Sequence, residues 1–294
     1  MSSSGYSSRT RPDPVATPQQ LTDPVAYHGE GPVWSRTWGG LRFVDMLAGD
    51  ILSVDASGGV TRMHVGTVAA FVRPRTRGGY VVGLERGIGL ADEVDVLPTS
   101  EVELWTDPAV RMNEGGCAPD GSLYAGSMGY DQTPGAAALY RIDPAGSVST
   151  FLPHVTVSNG IDFAPDGSRA YYNDTATGRT DVFDVVDNVL VNRRPFADGG
   201  DGSPDGLCVD SEGNIWVAMN SVGRVRLYSP DATILTEIEL PVRLVTACTL
   251  GGDDGRDLFI TTSRENLDDP EPEAGAVFTV RADVAGKPVL PYAG

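Results

Sequence analysis

The feature that most constrains this chain is a turn glycine that returns at a nearly constant interval. Four segments pair an acidic-Gly turn with a β-favouring run: "APDGSLYAGS" from Ala118, "APDGSRAYYND" from Ala164, "DSEGNIWVAMN" from Asp210 and "GDDGRDLFITTS" from Gly252. Two weaker copies precede them, "TWGGLRFVDM" from Thr37 and "TRGGYVVGLERG" from Thr76. The aligned glycines are Gly40, Gly79, Gly121, Gly167, Gly213 and Gly255, separated by 39, 42, 46, 46 and 42 residues. Six copies at that period, each followed by alternating strand pattern, predict an all-β fold: a six-bladed β-propeller with four-stranded antiparallel blades. A seven-bladed propeller with one degenerate blade, or a pair of β-sandwiches, is the structural alternative.

The third copy displays one blade. "GGCAP" from Gly115 reads as the inner strand, "SLYAGSM" as the second, "AALYRID" as the third and "SVSTFL" as the outer one. The first blade lacks a convincing outer strand, so pairing the N-terminal and C-terminal segments would close the ring and remove open edges. The 36 glycines and 21 prolines among 294 residues suit many turns and short strands. Residues 21–294 are expected to form a single propeller domain. The polar, Ser/Pro-rich residues 1–20 are expected to be a disordered tail with no apolar signal segment.

A formal net charge of −18 argues against nucleic acid or an anionic membrane as partner. No window is apolar enough to span a bilayer. Cys117, Cys208 and Cys248 form no CxxC pair and no disulfide framework, and read as small buried hydrophobes in a reducing compartment. The expected location is the cytoplasm, and the expected assembly a monomer or small homo-oligomer.

The repeat places one polar position in register. Asp205 lies eight residues before Gly213, Asn159 eight before Gly167 and Asn113 eight before Gly121. The other blades carry Pro32, Phe71 and Ala247 there, with Glu30 close to the first. Inner strands line a propeller's channel, so these positions ring the axis at one end. Asn-Gly and Asp-Gly are also ordinary turn dipeptides. Here, however, the "PDG" and "SEG" turns eight residues later already fill that role. Glu30, Asn113, Asn159 and Asp205 together offer hard oxygens with a formal charge of −2, the donor set of a divalent cation in the channel.

"GEGPVW", "RMNEGGCAPDGSLYAGSM", "SNGIDFAPDG", "PDGLCVDSEGNIWVA", "CTLGGDDGRDLFITT" and the closing "PEAGAVFTV … PYAG" resemble the regucalcin (senescence marker protein)–gluconolactonase family. The resemblance runs from about Glu30 to the C-terminus. It implies a six-bladed propeller, one divalent metal ion (Ca²⁺, Zn²⁺, Mn²⁺ or Mg²⁺) in the channel, and hydrolysis of sugar lactones. It implies Glu30, Asn159 and Asp205 as metal ligands, Arg111 and Asn113 as substrate contacts, and Asp205 as general base. Where animal members carry a substrate-contacting Glu, this chain has Asp131. Where many members have Asp after the motif Asn, it has Glu114.

Other chemistries find little footing. There is no GxSxG elbow, no HExxH and no nucleotide-binding glycine pattern. The three histidines, His28, His64 and His154, fall outside the repeated register, and His28 is expected to be a solvated loop residue. The expected function is therefore metal-dependent opening of an aldonolactone to its aldonic acid. A generalist propeller hydrolase of other lactones, esters or phosphotriesters is one alternative, and a non-catalytic calcium-binding propeller is the other. A carboxylate bound to a cation is a weakened base. The sequence leaves open whether Asp205 deprotonates water or only orients water on the metal.

Overall fold

The computed structural model describes residues 17–294. It contains six sheets of four antiparallel strands, five of them running outward from the axis in chain order. The inner strands are Gly29–Ser35, Val72–Pro74, Val110–Cys117, Ser158–Phe163, Ser203–Val209 and Val245–Gly251. Each of the six sheets contacts the next, and the sixth returns to the first, so the ring closes. The third blade follows the sequence reading, with Leu123–Gly129, Ala137–Ile142 and Val148–Val155 outside its inner strand. That inner strand begins at Val110, earlier than the quoted Gly115.

Burial explains the layering. Blades stack face to face, so inner strands are covered on both sides, and Val110–Cys117 is buried throughout. Outer strands have one wet edge, and Val148–Val155 is mostly exposed. The sixth blade takes its outermost strand from the start of the described chain: Gln19 pairs with Thr279 and Gln20 with Phe278. The closure expected from the open edge is therefore made by Gln19–Gln20, two residues the sequence reading assigned to the tail. Residues 1–16 of that tail lie outside the described residues. No helix among the described residues is long and apolar enough to cross a membrane.

The turn glycines work as the repeat requires. Gly121 donates to the Ala118 carbonyl (2.9 Å) and Gly167 to the Ala164 carbonyl (2.9 Å), both with φ in the left-handed region. In the two weaker copies the equivalent glycines are Gly39, on the Arg36 carbonyl, and Gly78, on the Arg75 carbonyl. The alignment through Gly40 and Gly79 was thus one residue late.

The channel has two unlike ends. The starts of the inner strands carry the polar register. Their far ends, with Trp34, Arg73, Glu114, Cys208, Cys248 and Lys287, surround a cavity of about 520 Å³. The C-terminal segment crosses this end, from Gly286, bridged to Asp210, to Tyr292, bridged to Arg75. All three cysteines are free thiols, as expected. Cys117 and Cys248 are buried and Cys208 is half-buried.

Candidate functional site

A β-bulge sits near the start of the inner strand in five of the six blades. The register shifts between Glu30 and Val33, Met112 and Glu114, Ser158 and Ile161, Pro204 and Leu207, and Val245 and Ala247. A bulge re-aims a side chain that regular alternation would send into the blade interface. Asn113, Asn159 and Asp205 occupy these bulges. Glu30 stands at the leading edge of its own, opposite Val44. Glu30 is 3 % exposed, and Arg111, Asn113, Asn159 and Asp205 are each 5 % exposed.

The glycines that follow answer crowding rather than turning. A Cβ on Gly160 would stand 2.5 Å from the Leu207 nitrogen, and one on Gly206 would stand 2.4 Å from the Ala247 Cβ. At these two positions the neighbouring inner strand stands too close for any side chain. With its turn glycine at Gly78, the second blade's register position moves from Phe71 to Ala70, and both residues are fully buried. They contribute packing and no donor.

The polar atoms of this end are unequally satisfied. Asn113 is committed at both ends of its amide: Oδ1 accepts from Arg111 Nη1 (2.9 Å), and Nδ2 donates to the Ser158 carbonyl (2.9 Å). Asn159 Nδ2 donates to Thr175 Oγ1 (3.0 Å), and its Oδ1 is buried with no partner. Asp205 Oδ2 accepts from Asn220 Nδ2 (2.8 Å), and its Oδ1 is likewise buried and bare. Glu30 Oε2 accepts from the Gly31 amide at 3.0 Å. Burial pushes the Asp205 carboxyl up to about 7, against the pull of the Asn220 hydrogen bond. Glu30 lies well above the usual carboxylate range, through burial first and then the charges of Asp205 and Glu114.

Buried oxygens without donors are costly in a protein interior. Two of them, beside carboxylates whose charge is suppressed, make a donor set suited to a hard cation. No three His, Cys, Asp or Glu side chains gather into a metal cluster among the described residues. The candidate set accordingly draws on an amide oxygen. Asn113, with its Oδ1 turned to Arg111, stands beside that set.

Several contributors carried no repeat signal. His28, expected in solvent, is 8 % exposed, and its Nδ1 lies 2.8 Å from Ser263 Oγ. Burial, and then Arg111, holds its imidazole down at about 3, so it is neutral. Arg111 stands over the Tyr130 ring at 5.9 Å from its centre. Asp45 accepts the Tyr27 and His28 amides (3.1 and 3.0 Å), and Asp174 accepts those of Thr156 and Val157 (3.2 and 3.0 Å). Each fixes the backbone leading into a site residue. The legible trace of these supports is the polar residue closing an apolar second strand, as in "FVD" at Asp45, "YYND" at Asp174 and "WVAMN" at Asn220.

Asp131 is not brought into the cluster. It is exposed, and its two oxygens accept from the Thr133 amide (3.0 Å) and hydroxyl (2.8 Å) within its own loop.

Comparison with known proteins agrees with this architecture. Residues 28–264 match the SMP-30/Gluconolactonase/LRE-like region. Regucalcin of Danio rerio is 33 % identical over 279 residues, covering 90 % of this chain and 95 % of that protein. The 6-deoxy-6-sulfogluconolactonase of Pseudomonas putida is 35 % identical over 268 residues, covering 88 % of this chain and 92 % of that protein. The crystal structure of a calcium-binding protein, regucalcin, from Agrobacterium tumefaciens superposes with a TM-score of 0.88 at 27 % identity, covering 95 % of this chain and 97 % of that one. A match over most of the chain, with relatives above 30 % identity over nearly their full lengths, establishes that this protein belongs to the SMP-30/gluconolactonase/LRE family.

Proposed function

We propose that this protein is a metal-dependent lactonase that opens a sugar lactone to the corresponding aldonic acid. One observation carries the reading: the bare, buried oxygens of Asn159 and Asp205 beside Glu30, at the channel end where Arg111 also stands. Family membership and the sugar-lactone substrate in the name of the Pseudomonas putida relative support it. Glu30, Asn159 and Asp205 would hold one divalent cation. When bound, it would polarise the lactone carbonyl and offset the charge of the two carboxylates.

The side chains divide the remaining work. Asp205 Oδ1 is the free donor, and Oδ2 keeps one lone pair beyond the Asn220 hydrogen bond. That lone pair takes a proton from the attacking water. The water oxygen bonds to the lactone carbonyl carbon, the carbon–ring-oxygen bond breaks, and the proton passes to the departing ring oxygen. Asn220 positions the base, and Arg111 and Asn113 orient the substrate.

A test is acid release from aldonolactones by protein stripped of metal and reloaded with Ca²⁺, Mn²⁺, Mg²⁺ or Zn²⁺. Turnover that vanishes on chelation and returns on reloading is the expected result. Undiminished turnover in thoroughly stripped protein overturns the metal role. Cation binding without acid release from any lactone would favour the calcium-binding reading, which the Agrobacterium tumefaciens relative also suggests.

A further inference from the structure

We propose that Glu265 is a specificity-determining residue of this site, accepting a hydrogen bond from a substrate hydroxyl that Arg111 contacts from the other side. This rests on the sugar-lactone reading and names the feature of the sugar that is read.

Glu265 follows the second strand of the sixth blade, Asp257–Thr262, far in sequence from the repeated register. Its backbone is fixed from both sides. The Glu265 amide donates to Ser263 Oγ (2.9 Å), and the Asn266 amide donates to the Tyr27 hydroxyl (3.1 Å). Arg264 just before it is tied to the Ala274 carbonyl by Nη2 (2.7 Å) and by Nε (3.1 Å). The loop therefore presents the carboxylate at a defined place, which a specificity contact requires.

The carboxylate is poorly occupied there. Its approach to His28 Nδ1 is 3.5 Å, too long for a good hydrogen bond, and that nitrogen already meets Ser263 Oγ at 2.8 Å. The Glu265 side chain is 25 % exposed, so it opens to solvent at the channel mouth.

Arg111 is its counterpart. All three Arg111 hydrogen bonds leave from Nη1, to Met46 Sδ, the Met112 carbonyl and Asn113 Oδ1. Nε and Nη2 remain to be used. Glu265 is the leading charge acting on Arg111, and Arg111 the charge acting on Glu265, yet the two do not close into an ion pair. A free donor and a free acceptor held apart fit a group that accepts from one and donates to the other. A hydroxyl does both. A carbonyl offers no proton to Glu265, and an anionic substituent would be repelled by it. Asp131 is engaged with Thr133 in its own exposed loop.

The experiment compares metal-loaded wild type, Glu265→Gln and Glu265→Ala on D-glucono-δ-lactone and on δ-valerolactone, which lacks hydroxyls. For the hydroxylated lactone KM should rise about tenfold or more in Glu265→Ala, and less in Glu265→Gln, with kcat little changed. Kinetics on δ-valerolactone and the Tm should hold. Equal changes on both lactones, or none on either, overturn the proposal. A calorimetric titration with sorbitol separates it from the parent reading. Glu265-dependent polyol binding in a protein that opens no lactone sinks the lactonase reading and keeps this one. Polyol binding indifferent to Glu265 sinks this one, whatever the activity.

Discussion

The two ends of the channel are built from the same six strands and treat charge in opposite ways. At the far end every buried charge is answered. Arg73 pairs with Glu114 at 2.9 Å and Lys287 with Asp162 at 2.7 Å. Asp162 also accepts the Phe163 and Val209 amides, both at 2.8 Å. At the end where the strands begin, the Asp205 carboxylate and the Asn159 amide are buried with an oxygen left over on each, beside the buried Glu30. A satisfied buried network holds a fold together, whereas an unsatisfied one costs stability until something binds. One end is a satisfied network around a cavity, and the other holds the bare oxygens on which the proposed cation site rests.

The sharpest way to break this contrast is Asp205→Ala. Turnover should fall by about 10²–10⁴-fold, the range for losing a general base. The apo protein should melt no lower than wild type, because a bare buried carboxylate has been removed. A clear drop in apo Tm would make Asp205 structural and erase the distinction between the ends.

Next in size is the response to cations. A divalent ion at about 100 times its Kd should stabilise the wild type by about 2.7 kcal/mol, read as a rise in Tm. Glu30→Gln should abolish that rise. Equal stabilisation of both proteins would place the cation elsewhere.

The far end should behave in reverse. Lys287→Met removes the partner of Asp162 and should lower unfolding stability by about 1–3 kcal/mol in denaturant melts. The kcat should stay within error of wild type, and a large fall in kcat would show that the ends are coupled. The smallest effect is expected from Asp131→Ala. Its carboxylate serves its own exposed turn, so KM for aldonolactones should not move, and a rise would return it to the site.

Much of this contrast was legible as sequence. Asn113, Asn159 and Asp205 announce themselves because a repeat turns a shared offset into a shared place in space, and Glu30 was found beside them. Glu265 has no repeat to point to it, His28 was read as solvated, and Asn220 was passed over although it closes its second strand as Asp174 does. Asp131 shows the converse. A residue carried over by resemblance sits exposed on a loop, where each of its oxygens accepts one bond from Thr133. Gln19–Gln20 escaped notice because a two-residue polar strand has no periodicity to read. What a residue does by register could be inferred, and what it does by local rescue of a neighbour could not.

The pairing of Gln19 with Thr279 has a further consequence, in time rather than space. The first described strand cannot find its place until almost the whole chain exists. During synthesis the early blades must wait with an unfinished edge, and the ring becomes one cooperative body only at the last step. Such distant pairing makes for slow closure, because the loop entropy is lost before the contact is gained. Once made, the same junction ties the first described strand to the last, so the sixth blade cannot come apart without opening it. The propeller should therefore be a late folder and a reluctant unfolder, with Gln19–Gln20 acting as the clasp.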